Sequence, residues 1–356
     1  METKNQKQIL RGILLIALTG IGISSCKKNN PASPPSYTQT NLAADTVGYG
    51  GRIDTNLANA WGIAIGPTGS FWISSNHSGM TVIYDGNGAQ VLAPVGIPLG
   101  SDENGASPTG VIYNSTTGFV IPGTGQPAKF IYATEDGIIS AWNTGDTTIK
   151  VVDRSALNAI YKGIAMATDG AVNYIYATDF HNAKVDVFDQ SFNYVGKTLS
   201  DPGIPAGFAP FNIHNIDGML YVTYAKQKGP DNADDQSGAG NGYVDIYKPD
   251  GTLVKRFATQ GTLNSPWGIA KAPDDFGQGS GAILISNFGD GRINVYDKDG
   301  NYKTQLQTNG VPVTIDGVWE IIFPQSGMSS LDPNKLYYTA GPKEESFGIF
   351  GYLKKN

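Results

Sequence analysis

Only one cysteine, Cys26, occurs in the 356 residues, so no disulfide within the chain can staple the fold. Stability must come from burial, for which a chain of this length suffices. Charge is sparse as well: 16% of the residues are Asp, Glu, Lys or Arg, the net charge is -6 and the pI is about 5.1. There is no Lys/Arg block beyond the first residues, so the basic face that a nucleic-acid binder turns to phosphate is missing and no nucleic-acid partner is expected. Long amphipathic helical patterns are absent. So are a P-loop, a Gly-x-Ser-x-Gly elbow and a Rossmann fingerprint in a supporting context, and none of the 3 histidines has the HExxH spacing of a metal motif. What abounds is glycine (46) and tyrosine (18), the composition of many short strands joined by tight turns.

The first residues have the layout of an export signal. Lys4, Lys7 and Arg11 precede an apolar run over residues 12–23, too short to remain as a membrane span. The run ends in Ile23-Ser24-Ser25-Cys26, which resembles the bacterial lipobox, where cleavage precedes a cysteine that then carries lipid. Residues 1–25 are therefore expected to be a lipoprotein signal peptide and residues 26–36 a lipidated cysteine and tether, since KKNNPASPPS at 27–36 has three prolines and nothing to anchor a core. Lys27 stands where an inner-membrane retention aspartate is often found, so the expectation is an outer-membrane lipoprotein of the cell envelope, facing the periplasm or the surface.

A repeat organises the remainder, residues 37–356. Its first strand recurs as Ala60-Trp61-Gly62-Ile63-Ala64, Pro108-Thr109-Gly110-Val111-Ile112, Tyr161-Lys162-Gly163-Ile164-Ala165, Pro210-Phe211-Asn212-Ile213-His214, Pro266-Trp267-Gly268-Ile269-Ala270 and Ile315-Asp316-Gly317-Val318-Trp319. Asn212 in place of glycine predicts a backbone position with positive φ. A second, aromatic-rich run ends each time in a hydroxyl: Ser74, Thr134, Thr178, Thr223, Ser286 and Thr339. These hydroxyls are expected to satisfy backbone groups where neighbouring units meet. An alternating third strand, as in Val185-Asp186-Val187-Phe188, and Asp-Gly turns at Asp85-Gly86, Asp250-Gly251 and Asp299-Gly300 complete a four-stranded unit. Six such units predict an all-β, six-bladed β-propeller. The last unit lacks an outer strand, which residues 37–42 can supply, leaving no open sheet edge.

WGIAIGPTGSFWISSN, YKGIAMATDG, YATDFHNAKVDVFD, NSPWGIA, NFGDGRINVYD and IDGVWEIIF together resemble an uncharacterised family of exported bacterial propellers often found beside PEP-CTERM proteins. Ser75 departs from that family, which usually shows an aspartate there. At greater distance the repeat is similar to NHL-type and gluconolactonase-like propellers, grouped with calcium-dependent phosphotriesterases. That resemblance implies Glu, Asn and Asp around a Ca²⁺ ion at the channel mouth, and with it a lactonase- or esterase-like activity.

The repeat predicts that the residue after each terminal hydroxyl faces the mouth: Ser75, Glu135, Asp179, Tyr224, Asn287 and Ala340. Glu135, Asp179 and Asn287 are thus the candidate metal ligands, with hydrogen bonding to turn backbone as the other reading. Trp61, Lys162, Phe211, Trp267 and Asp316 precede the repeated glycine and form a candidate ligand rim with His181 and His214. Rings there either stack on a sugar or other flat ligand or seal the blade junctions. The insertion at 226–242 has three aspartates but no EF-hand spacing, and reads as a lid over the channel or as plain disorder. The expected partner is accordingly a small molecule, a glycan or a protein, with the membrane touched only through the lipid anchor.

Overall fold

The computed structural model describes residues 34–98, 106–325 and 330–356. Cys26 and the leader lie outside them, and no described helix is long and apolar enough to cross a membrane. Five four-stranded sheets and one five-stranded sheet form the blades of the expected propeller. Their inner strands are Ala60–Ile65, Pro108–Tyr113, Tyr161–Asp169, Phe208–Ile216, Pro266–Lys271 and Val318–Ile322, taken here as blades 1 to 6. In blade 6 the outer strand is the start of the domain: Tyr37–Ala44 pairs antiparallel with Ile349–Lys355, and Arg52–Ile53 adds a short parallel edge. The beginning of the domain therefore closes the ring against its end, as the missing strand predicts.

Alternation along the strands turns apolar residues to both sheet faces, so each blade packs on two neighbours. One apolar cluster occupies each of the six junctions. Between blades 1 and 2 it includes Trp72, Ile83, Val111, Phe130 and Tyr132, and between blades 6 and 1 it joins Phe71, Ile73 and Tyr84 to Tyr337 and Phe350. Three of the six hydroxyls stitch the same junctions, whereas among the described residues Ser74 Oγ has no partner, and Thr134 and Thr223 bond to Ile138 and Asn212 within their own blades. Thr178, Ser286 and Thr339 donate to the carbonyls of Phe211, Trp319 and Trp61 on the next blade.

Two expectations change. The repeated glycines Gly62, Gly110, Gly163 and Gly268 are not among the residues with positive φ. Their cause is close approach: a Cβ on Gly62 would lie 2.6 Å from the Thr109 carbonyl oxygen, and one on Gly268 would lie 2.7 Å from that of Trp319. The sixth repeat is also shifted. Val318 pairs with Ala340 and Ile321 with Tyr338, as Ala60 pairs with Ser75 and Ile63 with Ile73, so Trp319 matches Trp61 and Glu320 takes the glycine place. Gly317, at φ 64, belongs to the preceding turn.

Candidate functional site

All six inner strands slip register against their partners at one point, between Ala60 and Ile63 in blade 1 and at the matching place in the others. Such bulges re-aim a side chain. The residues at the bulge are Trp61, Thr109, Lys162, Phe211, Trp267 and Trp319. The residue after the matching end of each second strand faces the next blade: Asn76, Glu135, Phe180, Ala225, Phe288 and Gly341. These two sets meet at what we call the upper face, where inner strands begin and second strands end.

Six of these twelve residues are aromatic. Trp61, Phe211, Trp267 and Trp319 are at most 2% exposed and form one cluster with Phe180 and Ala225. Trp319 stacks on Trp61 with centroids 3.7 Å apart and on Phe288 at 3.9 Å, while Trp267 stands edge-on to both tryptophans. The cluster closes the axis. The indole N–H groups of the three tryptophans have no partner among the described residues. Trp61, Phe211 and Trp267 are buried and present no open ring face at the upper face on which a sugar could stack.

The junction of blades 2 and 3 differs. Lys162 is only 2% exposed, yet it occupies the tryptophan place, and its ammonium pairs with Glu135. Asp234, brought by the folded insertion, lies 3.3 Å from the same nitrogen, and the Trp61 ring centroid is 5.3 Å away. Burial opposes the charge on Lys162, but Glu135, Asp234 and Glu345 outweigh it and raise its pKa above the ordinary lysine value. Burial, reinforced by Glu135, pushes Glu345 up to about 7. Asn76 donates to Glu135 Oε2 at 2.9 Å, and Asn59 reaches both Asn76 and His77. Glu345 ends three successive left-handed residues, Lys343, Glu344 and Glu345 at φ 58, 53 and 63. Each left-handed residue costs about 1–2 kcal/mol, so the turn carries strain at this site.

Beside this cluster a cleft of about 410 Å³ is lined by Glu135, Asp136, Ser155, His181 and Asp231, among others. His181 Nδ1 donates to the Asp231 carbonyl at 2.9 Å, so the insertion forms one wall. Burial raises the pKa of Asp136, whose carboxylate accepts the Ser107 amide at 2.9 Å.

The three candidate metal ligands are not brought together. Blade 2 is offset by one: Thr134 matches Ser75, and Glu135 falls one place further on. Asp179 is fully buried and accepts from the Ile160 and Asn182 amides and from Asn182 Nδ2. Asn287 donates to the Thr262 carbonyl at 2.7 Å and accepts the Asn264 amide. Both therefore pin the loops that lead into their own blades, the second of the two readings. Tyr224 bonds to Tyr247, and Ser75 and Ala340 are buried. Among the described residues no group of three His, Cys, Asp or Glu side chains is placed to hold a metal ion. The residues present do not fit the calcium centre that the distant resemblance implies.

Two rim candidates move. Asp316 is exposed and accepts the Lys343 amide at 3.0 Å, holding the strained turn from outside the ring. His214 lies below the aromatic closure, 3.3 Å from Glu320 Oε1, away from His181. The sequence reading missed Trp319, Glu320, Glu345, Asp234, Asn76, Phe180 and Phe288. A signal for the first two was present: Trp319-Glu320-Ile321 matches Trp61-Gly62-Ile63 if the tryptophan, rather than Gly317, sets the register.

No protein-family model matches the chain. An uncharacterized protein of Acanthamoeba polyphaga mimivirus is 34% identical over 336 residues, covering 89% of this chain and 78% of that protein. A second from the same virus is 33% identical over 323 residues, covering 85% and 82%. Among solved structures, a streptogramin B lyase superposes with a TM-score of 0.54 at 12% identity, covering 90% of this chain and 97% of its own. The soluble aldose sugar dehydrogenase of Escherichia coli gives 0.55 at 13%, covering 90% and 100%. A protein of unknown function from Bacteroides thetaiotaomicron gives 0.58 at 11%, covering 90% and 76%. At these identities the likeness is one of fold.

Proposed function

Because the chain belongs to the family of those uncharacterized mimivirus proteins, its role has to be read from its own side chains, and we propose that it is a ligand-binding β-propeller whose upper face takes a positively charged group. One observation carries this reading. Where junctions 3–4 and 5–6 pack ring against ring, blades 2 and 3 bury an ammonium and gather Glu135, Asp234 and Glu345 about it, with Asp136 and Asp231 on the adjoining cleft. Burying a charge pair costs several kcal/mol per ion, and apolar residues of similar volume often do as well or better for stability. Stability alone therefore favours rings there. Carboxylates outnumber the single ammonium, so the cleft suits an amine or guanidinium, on a small molecule or on a basic segment of a protein. The glycan reading loses its main support with the burial of the tryptophans.

The proposal extends to location. The leader, the lipobox-like Ile23-Ser24-Ser25-Cys26 and the proline-rich tether support a lipid-anchored protein of the cell envelope, as does the resemblance to exported bacterial propellers.

Titration of the purified full chain with spermidine tests the binding reading. We expect saturable heat that weakens with added salt, and about tenfold lower affinity in an Asp136→Asn, Asp231→Asn double variant, equivalent to roughly 1.4 kcal/mol. Unchanged affinity in that variant, or a preference for anions over amines, would remove the proposal.

A further inference from the structure

The aromatic closure separates the upper cleft from a larger cavity on the axis below it, about 640 Å³, within the size range of small-molecule sites. Its walls are the apolar residues that follow the glycine place on four inner strands, Ile63, Val111, Ile164 and Ile213, and Trp267 contributes from the closure. Exposed residues Pro67, Ser115 and Gln325 mark the rim.

Two polar groups of this cavity come from the places where the repeat is broken. A Cβ at Gly62, Gly110, Gly163 or Gly268 would collide with the next inner strand. Only blades 4 and 6 carry a side chain there, Asn212 and Glu320, and both line the cavity beside His214. Glu320 is 4% exposed, and its Oε1 accepts the Ile321 amide at 3.0 Å and lies 3.3 Å from His214 Nε2. Asn212 Nδ2 donates to the Trp267 carbonyl at 3.2 Å and is 3.1 Å from the same imidazole nitrogen. Among the described residues no lining side chain is a lysine, an arginine or an aspartate, so the one carboxylate facing this space is that of Glu320, with the His214 imidazole as its one basic neighbour.

A buried carboxylate in an apolar-walled cavity calls for a cation. We propose that the lower channel is a second ligand site, specific for an amine carried on an apolar body: the ammonium donates to Glu320 and the body packs on the four aliphatic walls. The two neighbours of the carboxylate fit that role. His214 Nε2 cannot donate to Glu320 and accept from Asn212 at once, and a ligand ammonium that takes over the carboxylate frees Nε2 to accept from the Asn212 amide. This site shares no residue with the upper cleft and does not depend on the function proposed for it.

The probes are 2-phenylethylamine and its neutral counterpart 2-phenylethanol, titrated calorimetrically into the full chain. The amine is expected to bind saturably and the alcohol at least tenfold more weakly. Glu320→Gln should abolish that difference by weakening the amine, while spermidine binding at the upper face stays as in the wild type. Met166→Trp, which fills the half-buried wall without touching the carboxylate, should weaken both probes and covers the case in which the Glu320 variant does not fold. Absence of saturable amine binding at millimolar concentration, equal affinity for amine and alcohol, or wild-type amine affinity in folded Glu320→Gln or Met166→Trp protein would overturn the proposal.

Discussion

Two blade junctions use the same pair of backbone positions for opposite chemistry. Between blades 5 and 6, Phe288 and Trp319 stack at 3.9 Å. Between blades 2 and 3 the corresponding residues are Glu135 and Lys162, an ion pair with the ammonium out of solvent. The propeller backbone accepts either, because bulge, glycine approach and inter-blade apolar clusters are supplied by other residues. Architecture and site are thus separable in this molecule: the repeat builds the ring, and the departures from it carry the chemistry.

The comparison predicts its largest effect on the aromatic side. Trp319 is sandwiched between Trp61 and Phe288 and touches Trp267 edge-on, so Trp319→Ala should open a cavity on the axis and cost about 3–5 kcal/mol, read from urea unfolding. A loss below about 1 kcal/mol would mean that the closure is ornamental to stability.

On the polar side the expected pattern is asymmetric. Glu135→Ala alone leaves the Lys162 ammonium without its nearest counter-charge and should cost about 3 kcal/mol. Converting the junction to the aromatic kind with Glu135→Phe and Lys162→Phe, after the Phe180–Phe211 pair of the next junction, should be neutral or stabilising. The same double variant should lose spermidine binding. If instead it unfolds, the ion pair is part of the architecture and the two junctions are not interchangeable.

The legibility of these features in the sequence follows the same division. Blade number, the four-strand unit, the inter-blade role of Thr178, Ser286 and Thr339, and closure by the strand from Tyr37 all rest on repeated, local pattern, which sequence displays directly. The site rests on exceptions and on register. Its place after a hydroxyl groups Glu135 with Asp179 and Asn287, yet in blade 2 the hydroxyl sits one place late, and one place turns a side chain to the other sheet face. Gly317 drew the sixth repeat three residues out of line, which hid Trp319 and Glu320 and promoted Asp316. Asp234 and Glu345 reach Lys162 from an insertion and a strained turn, and no periodicity within one chain segment announces such a contact. The glycine rule is legible but its cause is not, since positive φ and a crowded backbone both select glycine.

The smallest expected effect separates the junctions by pH. Burial and the nearby Glu135 raise the Glu345 carboxyl from its ordinary 4.5 to about 7 in the folded protein. Between those values the folded state holds a proton that the unfolded chain has released. Stability therefore falls as pH rises through this window and levels off above it, where the ionised carboxylate is fully opposed by burial. Lys162 stays charged throughout, so it adds no slope of its own there. Asp245, pushed up to about 6 mainly by burial, tilts stability the same way and remains when Glu345 is changed. Glu345→Gln should accordingly flatten but not abolish the decline, by on the order of 1 kcal/mol once solvent screening of this half-buried group is allowed for. Melting curves at about pH 5 and about pH 8 read the difference. In the Glu135→Phe, Lys162→Phe background two of its charged neighbours are gone and Asp234 remains, so the part of the slope set by Glu135 and Lys162 should change while the burial part stays. An identical pH profile in wild type and Glu345→Gln would show that this carboxyl titrates as an ordinary surface acid, and that the polar junction holds its charges in water rather than within the ring.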